Sequence, residues 1–266
     1  MAGRAVEAPP ATGPAPHLGV VDWGVGGLGL VRQLDEVAPG LEVTYWSDTG
    51  APPYGLVPTA ALVARLRAVV DALAARGCTE VVLACNAAST VAPRLARGPV
   101  PVTGVLASGI AAVPRRARRV GVVGGRRTIA SGAYRRGLAR PGRTVVSRVA
   151  QPLSAHIEAG RVGSAAFVDD LRRIVAPLRD VDALVLGCTH YPAASEHFAA
   201  ALPGVVLVDP VVLLVGALAH LHPAATTAPP ARRTFATTGD PAAMRRAARL
   251  AWGVDVDPGR VRLPAS

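Results

Sequence analysis

The sequence predicts an α/β fold of two pseudo-symmetric, Rossmann-like or flavodoxin-like lobes, each built on a mainly parallel sheet, with the functional site in the cleft between them. Three observations predict it. Short apolar runs alternate with Ala/Leu/Arg stretches at helical spacing, and this βαβα order implies parallel sheets covered by helices on both faces. Two cysteine-ended strands, "VVLACNAAST" from Val81 and "LVLGCTHYPA" from Leu184, set Cys85 and Cys188 in like contexts 103 residues apart. Two glycine-ended strands, "LGVVDWGVGG" from Leu18 and "VGVVGGRRTI" from Val120, repeat at an offset of 102, so the halves read as an internal duplication.

The elements follow in order. "HLGVVDWG" reads as a strand, "GLGLVRQLDEVA" as a helix, "LEVTYWSD" as a strand and "TAALVARLRAVVDALAARG" as a long helix ending at Gly77. "EVVLACN" is the next strand. The alternation continues through the strand "RRVGVVGG", the helix "TIASGAYRRGLA", the strand "TVVSRVA", the helix "GSAAFVDDLRRIVAPL" and the strands "VDALVLGC" and "GVVLVDP". At 266 residues the chain suits one large domain or two of roughly 100 to 130. The expected division is a disordered Ala/Pro-rich leader over residues 1–16, a first lobe of residues 17–102 rejoined by 209–266, and a second lobe of 103–208.

Composition removes several function classes. No run of about 18 apolar residues is free of polar interruption, so no membrane span is expected. The N-terminus has no continuous apolar segment, which argues against a secretory signal and for a cytoplasmic protein. The net charge of +11 invites a nucleic-acid partner, yet only "PRRARR" (residues 114–119) is densely basic. Aromatics make up 4% of the chain and none interleaves with that cluster as a stacking platform, so no nucleic-acid partner is expected. All 29 basic residues are arginine. Without lysine there is no Schiff base for pyridoxal phosphate and no P-loop cation. The three cysteines, Cys78, Cys85 and Cys188, make no disulfide framework, and with no CxxC pair or HExxH helix no metal site is expected.

In open parallel sheets, ligands sit beyond the carboxyl ends of the strands. Asp22, Asp48, Cys85, Cys188 and Asp209 fall at or near such ends. "GVGG" (Gly24 to Gly27) reads either as a phosphate cradle or as a turn that lets backbone amides reach a carboxylate. Two thiols facing each other across a planar carbanion can invert a carbon centre: one removes a proton and the other returns one on the opposite face. No cofactor is needed for that step. Asp22 beside one thiol and His190 beside the other are candidates to tune the transfers, whereas Cys78 reads as structural.

These residues also carry a resemblance. "GVVDWGVGG", "SDTGAPPYG", "VVLACNAAS", "GVVGGRRTIASGAY", "LVLGCTHYP", "VDP" and "TTGDP" resemble, in order and spacing, the glutamate racemases of the aspartate/glutamate racemase superfamily, from about His17 to Leu263. The resemblance implies a cofactor-independent two-base racemase, a small amino-acid substrate, a homodimer and a role in supplying D-glutamate for peptidoglycan. It implies Cys85 and Cys188 as the acid/base thiols, with Asp22 assisting the first and His190 and Glu158 the second. Glu158 lies in a segment one residue shorter than the family pattern. Pro53, Tyr54 and Gly55 resemble the loop that takes the substrate's side-chain carboxylate, and Asn86, Thr128 and Thr189 resemble further substrate-binding residues.

Two positions depart from the family pattern. Trp23 stands where the family has serine and Ala87 where it has threonine, so two hydroxyls that bind the amino-acid head are replaced. Each lost hydrogen bond to a charged group costs about 1.5 to 3 kcal/mol. If the Trp23 indole enters the pocket, it removes volume and brings one N–H donor. Two racemase readings therefore stand: L/D-glutamate as the default substrate, or a specialised isomerase or epimerase acting on a different or modified amino acid or related carbon acid. A third reading, a non-catalytic binding protein on the same fold, predicts that Cys85→Ala and Cys188→Ala leave function intact.

Overall fold

The computed structural model describes residues 15–263, so residues 1–14 of the expected leader lie outside the described residues. The first four strands in chain order are β1 (His17–Asp22), β2 (Glu42–Ser47), β3 (Glu80–Leu83) and β4 (Val102–Gly104). They are followed by β5 (Arg119–Gly124), β6 (Thr144–Val149), β7 (Ala183–Gly187), β8 (Val206–Val208), β9 (Arg233–Thr237) and β10 (Pro258–Arg260). One sheet runs β10-β9-β2-β1-β3-β4 and the other β6-β5-β7-β8. Every strand pairing in both is parallel.

The segment β2-β1-β3-β4 has the same order as β6-β5-β7-β8. Cys85 follows β3 and Cys188 follows β7, the same position in the two arrangements. The offset of about 102 residues seen in the sequence is thus an offset between topologically equivalent strands.

Both faces of each central strand are covered, which is why the strands read as apolar runs instead of alternating with polar residues. In the first sheet Leu18, Val20, Val43, Tyr45 and Val82 face the helices Leu28–Val37, Pro210–Leu221 and Pro241–Trp252. Val21, Trp46, Val81 and Leu83 face the helix Thr59–Ala74. In the second sheet Val123, Leu184 and Leu186 meet the helices Gln151–Glu158 and Ala165–Val175, and Val120, Val122 and Val185 meet Val105–Ala111 and Ala133–Leu138. Each fully buried Leu or Val contributes about 1.5 to 3 kcal/mol, so these four packed layers make the strand ends a rigid platform.

Local structure departs from the sequence reading at several points, among them the helices Val105–Ala111, Pro210–Leu221 and Pro241–Trp252, which the element order did not include. The single helix expected over "TIASGAYRRGLA" is two, Arg126–Ala130 and Ala133–Leu138. Gly132 between them has φ +65°, a left-handed conformation that cannot continue a right-handed helix. The helix expected to reach Gly77 ends at Ala74, and Gly77, at φ +87°, closes the turn that follows. The strands β4, β9 and β10 are three to five residues long and carry no clear apolar pattern. Pro258 is tolerated in β10 because that strand is an edge of the sheet. Among the described residues no helix is long and apolar enough to cross a membrane.

Candidate active site

β1, β3 and β7 end at one cavity of about 480 Å³. Asp22 is the last residue of β1, Cys85 stands two residues beyond β3, and Cys188 directly follows β7. Hydrogen bonds from the Ala84 and Cys85 amides to the Val21 carbonyl tie the first thiol to the end of β1. Cys188 is held by its amide bond to Leu186 O and by the Tyr191 amide, which donates to its carbonyl. Both thiols are half-buried at the cavity surface.

The two thiols have opposite electrostatic neighbours. Burial pushes Cys85 well above the ordinary thiol range, and the nearby Asp22 carboxylate and Cys188 raise it further, against smaller opposing contributions from the Ala88 and Ala87 amides. Cys85 is therefore a protonated thiol at neutral pH. Cys188 Sγ lies 3.7 Å from His190 Nδ1, and His190 Nε2 lies 2.9 Å from Glu158 Oε1. Burial opposes the imidazolium, but hydrogen bonds to Cys188 and Glu158, with their negative charge, hold His190 well above the usual histidine range. Burial likewise opposes the Glu158 carboxylate, but its bond to His190 prevails and keeps it below the usual range.

A stability signature follows from this pair. A raised imidazole stabilises the fold below its unfolded value of 6.5, and this is lost as pH climbs through the folded value. A lowered carboxylate stabilises above its unfolded value of 4.5, and this is lost as pH falls through the folded value. The Glu158→Gln variant is expected to show its largest stability deficit between about pH 4.5 and 6.5, narrowing toward pH 9 and toward pH 3. Urea denaturation of both proteins across that range tests it; a deficit independent of pH would contradict the ion pair.

The glycine turn after β1 explains how the two lobes meet so closely. A Cβ on Gly24 would stand 2.5 Å from Glu158 Oε1, and one on Gly26 would stand 2.3 Å from Thr189 Oγ1 and 2.8 Å from His190 Nδ1. The turn is a socket for side chains of the second lobe, and the phosphate-cradle alternative finds no support in these contacts. Thr189 Oγ1 crosses the cleft to donate to Asp22 Oδ2 at 2.9 Å. Tyr134 of the second lobe donates its hydroxyl to Asn86 Oδ1 at 2.7 Å, which leaves the Asn86 amide hydrogens for a ligand.

All thirteen candidate residues line this cavity: Asp22, Trp23, Pro53, Tyr54, Gly55, Cys85, Asn86, Ala87, Thr128, Glu158, Cys188, Thr189 and His190. Several do so differently from the expectation. The Trp23 indole forms a wall, but its N–H is donated to the Ala51 carbonyl at 2.9 Å and does not serve as a donor to a ligand. The Tyr54 hydroxyl is likewise occupied, donating to Asp48 Oδ2 at 2.8 Å. Among the described residues no acceptor takes the backbone N–H of Tyr54 or Gly55, and these two amides can receive a carboxylate.

Asp48 and Asp209, although at strand ends, are not part of the cavity lining. Asp48 is buried and accepts from Arg65, Tyr54 and Thr238, which pins the loop carrying Pro53 to Gly55. Asp209 caps the helix Pro210–Leu221 by accepting from the Val211 amide. Sequence reasoning missed Arg126, Arg127 and Gln151, which also line the cavity. For the two arginines the available signal was the duplication, since "GRRT" follows β5 as "WGVGG" follows β1; nothing comparable marked Gln151. Among the described residues no three His, Cys, Asp or Glu side chains gather as a metal site requires.

Comparison with known proteins places this geometry. The family model described as Asp/Glu/Hydantoin racemase matches residues 18–218. The chain is 36% identical over 250 residues to the glutamate racemase of Mycobacterium tuberculosis (strain ATCC 25618 / H37Rv), covering 88% of this chain and 92% of that protein. It is similar in structure to the Thermus thermophilus glutamate racemase solved in complex with beta-chloro-D-alanine, with TM-score 0.84, 32% identity, and coverage of 93% of this chain and 97% of that one. The Escherichia coli glutamate racemase, solved with L-glutamate and the activator UDP-MurNAc-ala, aligns with TM-score 0.78 and 26% identity over 95% of this chain and 100% of that one. The two thiols on equivalent strands, the two-lobed parallel fold and these matches agree, and the chain belongs to the Asp/Glu/hydantoin racemase family.

Proposed function

We propose that this protein is a glutamate racemase that inverts the α-carbon by proton transfer between two thiols, without a cofactor. The observation that carries the reading is the placement of Cys85 and Cys188 after equivalent strands, at one cavity, with a carboxylate near the first and an imidazolium beside the second. In one direction the Cys188 thiolate takes the Cα proton and the Cys85 thiol gives its own proton to the opposite face. The thiol and thiolate have then exchanged places, which readies the site for the other enantiomer. His190, held by Glu158, keeps positive charge beside Cys188, and Asp22 is positioned by Thr189 beside Cys85.

Incubation with L-glutamate and, separately, D-glutamate tests this, with chiral chromatography as the readout. Both reactions are expected to approach a 1:1 mixture, because the enantiomers have equal free energy in water. Absence of interconversion from either side would overturn the glutamate assignment. A second reading, an isomerase for a modified amino acid, is favoured by one observation: the Trp23 N–H is already taken by Ala51 O and Ala87 offers only a methyl. Turnover of an amino acid modified at its α-amino or α-carboxylate group, with no turnover of glutamate, would select it.

The wider role follows from the same reading: a cytoplasmic homodimer that supplies D-glutamate for peptidoglycan. Family membership supports it. Sedimentation showing only monomer at all concentrations would overturn the dimer, and growth of a deletion strain without added D-glutamate would overturn the cell-wall role.

A further inference from the structure

Arg127 belongs to the second lobe, on the short helix Arg126–Ala130, yet every partner of its guanidinium lies in the first. Its Nε donates to Tyr54 O at 2.8 Å, its Nη2 to Val57 O, and its Nη1 to Thr59 Oγ1 at 3.4 Å. Among the described residues no carboxylate pairs with this guanidinium, and the main acceptors are backbone carbonyls. We propose that Arg127 is a positioning residue, a strap that holds the Tyr54–Thr59 loop over the cavity and governs substrate capture and release, leaving proton transfer itself untouched. The proposal rests on reading that loop as the receiver of the substrate's side-chain carboxylate.

The loop needs such a strap. Its leading end is fixed by Trp23 at Ala51 O and by the Tyr54 hydroxyl on Asp48. Beyond Tyr54 the anchors thin to the Leu56 amide on Pro53 O and the half-buried Val57 side chain: Leu56 is 73% exposed, Gly55 has no neighbour within 4 Å of where a Cβ would stand, and Pro58 supplies no amide hydrogen. The guanidinium provides what this stretch lacks, a planar fork able to bind two carbonyls at once.

A second cavity, of about 510 Å³, lies on the far side of the strap. Gly55, Arg126 and Arg127 line both it and the active-site cavity, so the strap and loop form the wall between them. Releasing Arg127 frees the wall to swing and joins the two spaces, giving substrate a route that the strapped form closes. The cost of exchange is then set by contacts remote from the thiols.

The test uses the full-length protein with Arg127→Ala and Arg127→Lys. Hydrogen–deuterium exchange of peptides spanning residues 51–59 is expected to quicken about tenfold in Arg127→Ala, with unchanged exchange in β1, β3 and β7 and a Tm lowered by no more than about 5 °C. In the kinetic arm KM for glutamate is expected to rise about tenfold while kcat stays within about threefold. Arg127→Lys should fall between, because a single ammonium can hold one carbonyl but not fork across two. Unchanged exchange over 51–59, or a fall in kcat at constant KM, would overturn the strap. The exchange arm needs no substrate, so a wild-type protein inactive on glutamate would sink the glutamate assignment while leaving the strap decided by exchange alone.

Discussion

Replacing either Cys85 or Cys188 by alanine is expected to lower inversion of glutamate by at least about 10²- to 10⁴-fold, the range supplied by a positioned general acid or base. The two losses should nevertheless differ in kind. Each variant keeps one thiol, which can still remove a proton from the enantiomer that presents its Cα–H to that face and return a solvent-derived one to the same side. In D2O each variant is therefore expected to wash out the Cα proton of one enantiomer with retention, and the two variants should select opposite enantiomers. Cys78→Ala supplies the control. Its thiol is buried at the amino end of β3, 3.6 Å from His17 Nε2 and outside the cavity lining, so it has no place in this chemistry. Full activity in Cys85→Ala or Cys188→Ala, with or without a loss in Cys78→Ala, would contradict the assignment.

Gly26→Ala is expected to be nearly as damaging, although Gly26 carries no reactive group. The added methyl would stand 2.3 Å from Thr189 Oγ1 and 2.8 Å from His190 Nδ1. Neither can step aside without loss: Thr189 is bonded to Asp22 and His190 to Glu158. Overpacking of this kind costs about 1 to 3 kcal/mol, and a displacement of about 1 Å among reacting groups costs roughly 10²-fold in rate. Denaturant melts and racemisation rates should therefore fall together. Gly216→Ala is the matched control, since a Cβ there meets nothing within 4 Å and lies inside the helix Pro210–Leu221, where alanine is favoured. Near-normal activity in Gly26→Ala would show that the two lobes are not held as closely as the socket implies.

The core strands and the two thiols were legible because each is a local signal: an apolar run, then a small residue, then cysteine. Their equivalence was legible as well, through an offset that reappears as the repeated strand order. What the sequence hid depends on contacts between distant segments. Nothing near Trp23 says that its N–H goes to Ala51, 28 residues on, or that Arg127 reaches back to Tyr54. The glycines after β1 showed a close approach but not its partner, because the partners, Glu158, Thr189 and His190, come from the other half of the chain. Asp48 and Asp209 looked functional by position alone; their hydrogen bonds assign them to the loop anchor and to a helix cap. The strands β9 and β10 escaped notice because they are only five and three residues long, too short for an apolar pattern to stand out.

The central claim is that two thiols work on opposite faces, and proton NMR of the wild-type protein in D2O at early conversion tests it most directly. Starting from one enantiomer of glutamate, the account predicts product that carries deuterium at Cα from the first turnover, while unreacted substrate still carries protium. That pattern requires the accepting and donating groups to be different. Product that retains the substrate's own proton, or substrate and product that exchange in step from the start, would contradict the two-thiol arrangement and point to a single base shuttling its proton from face to face.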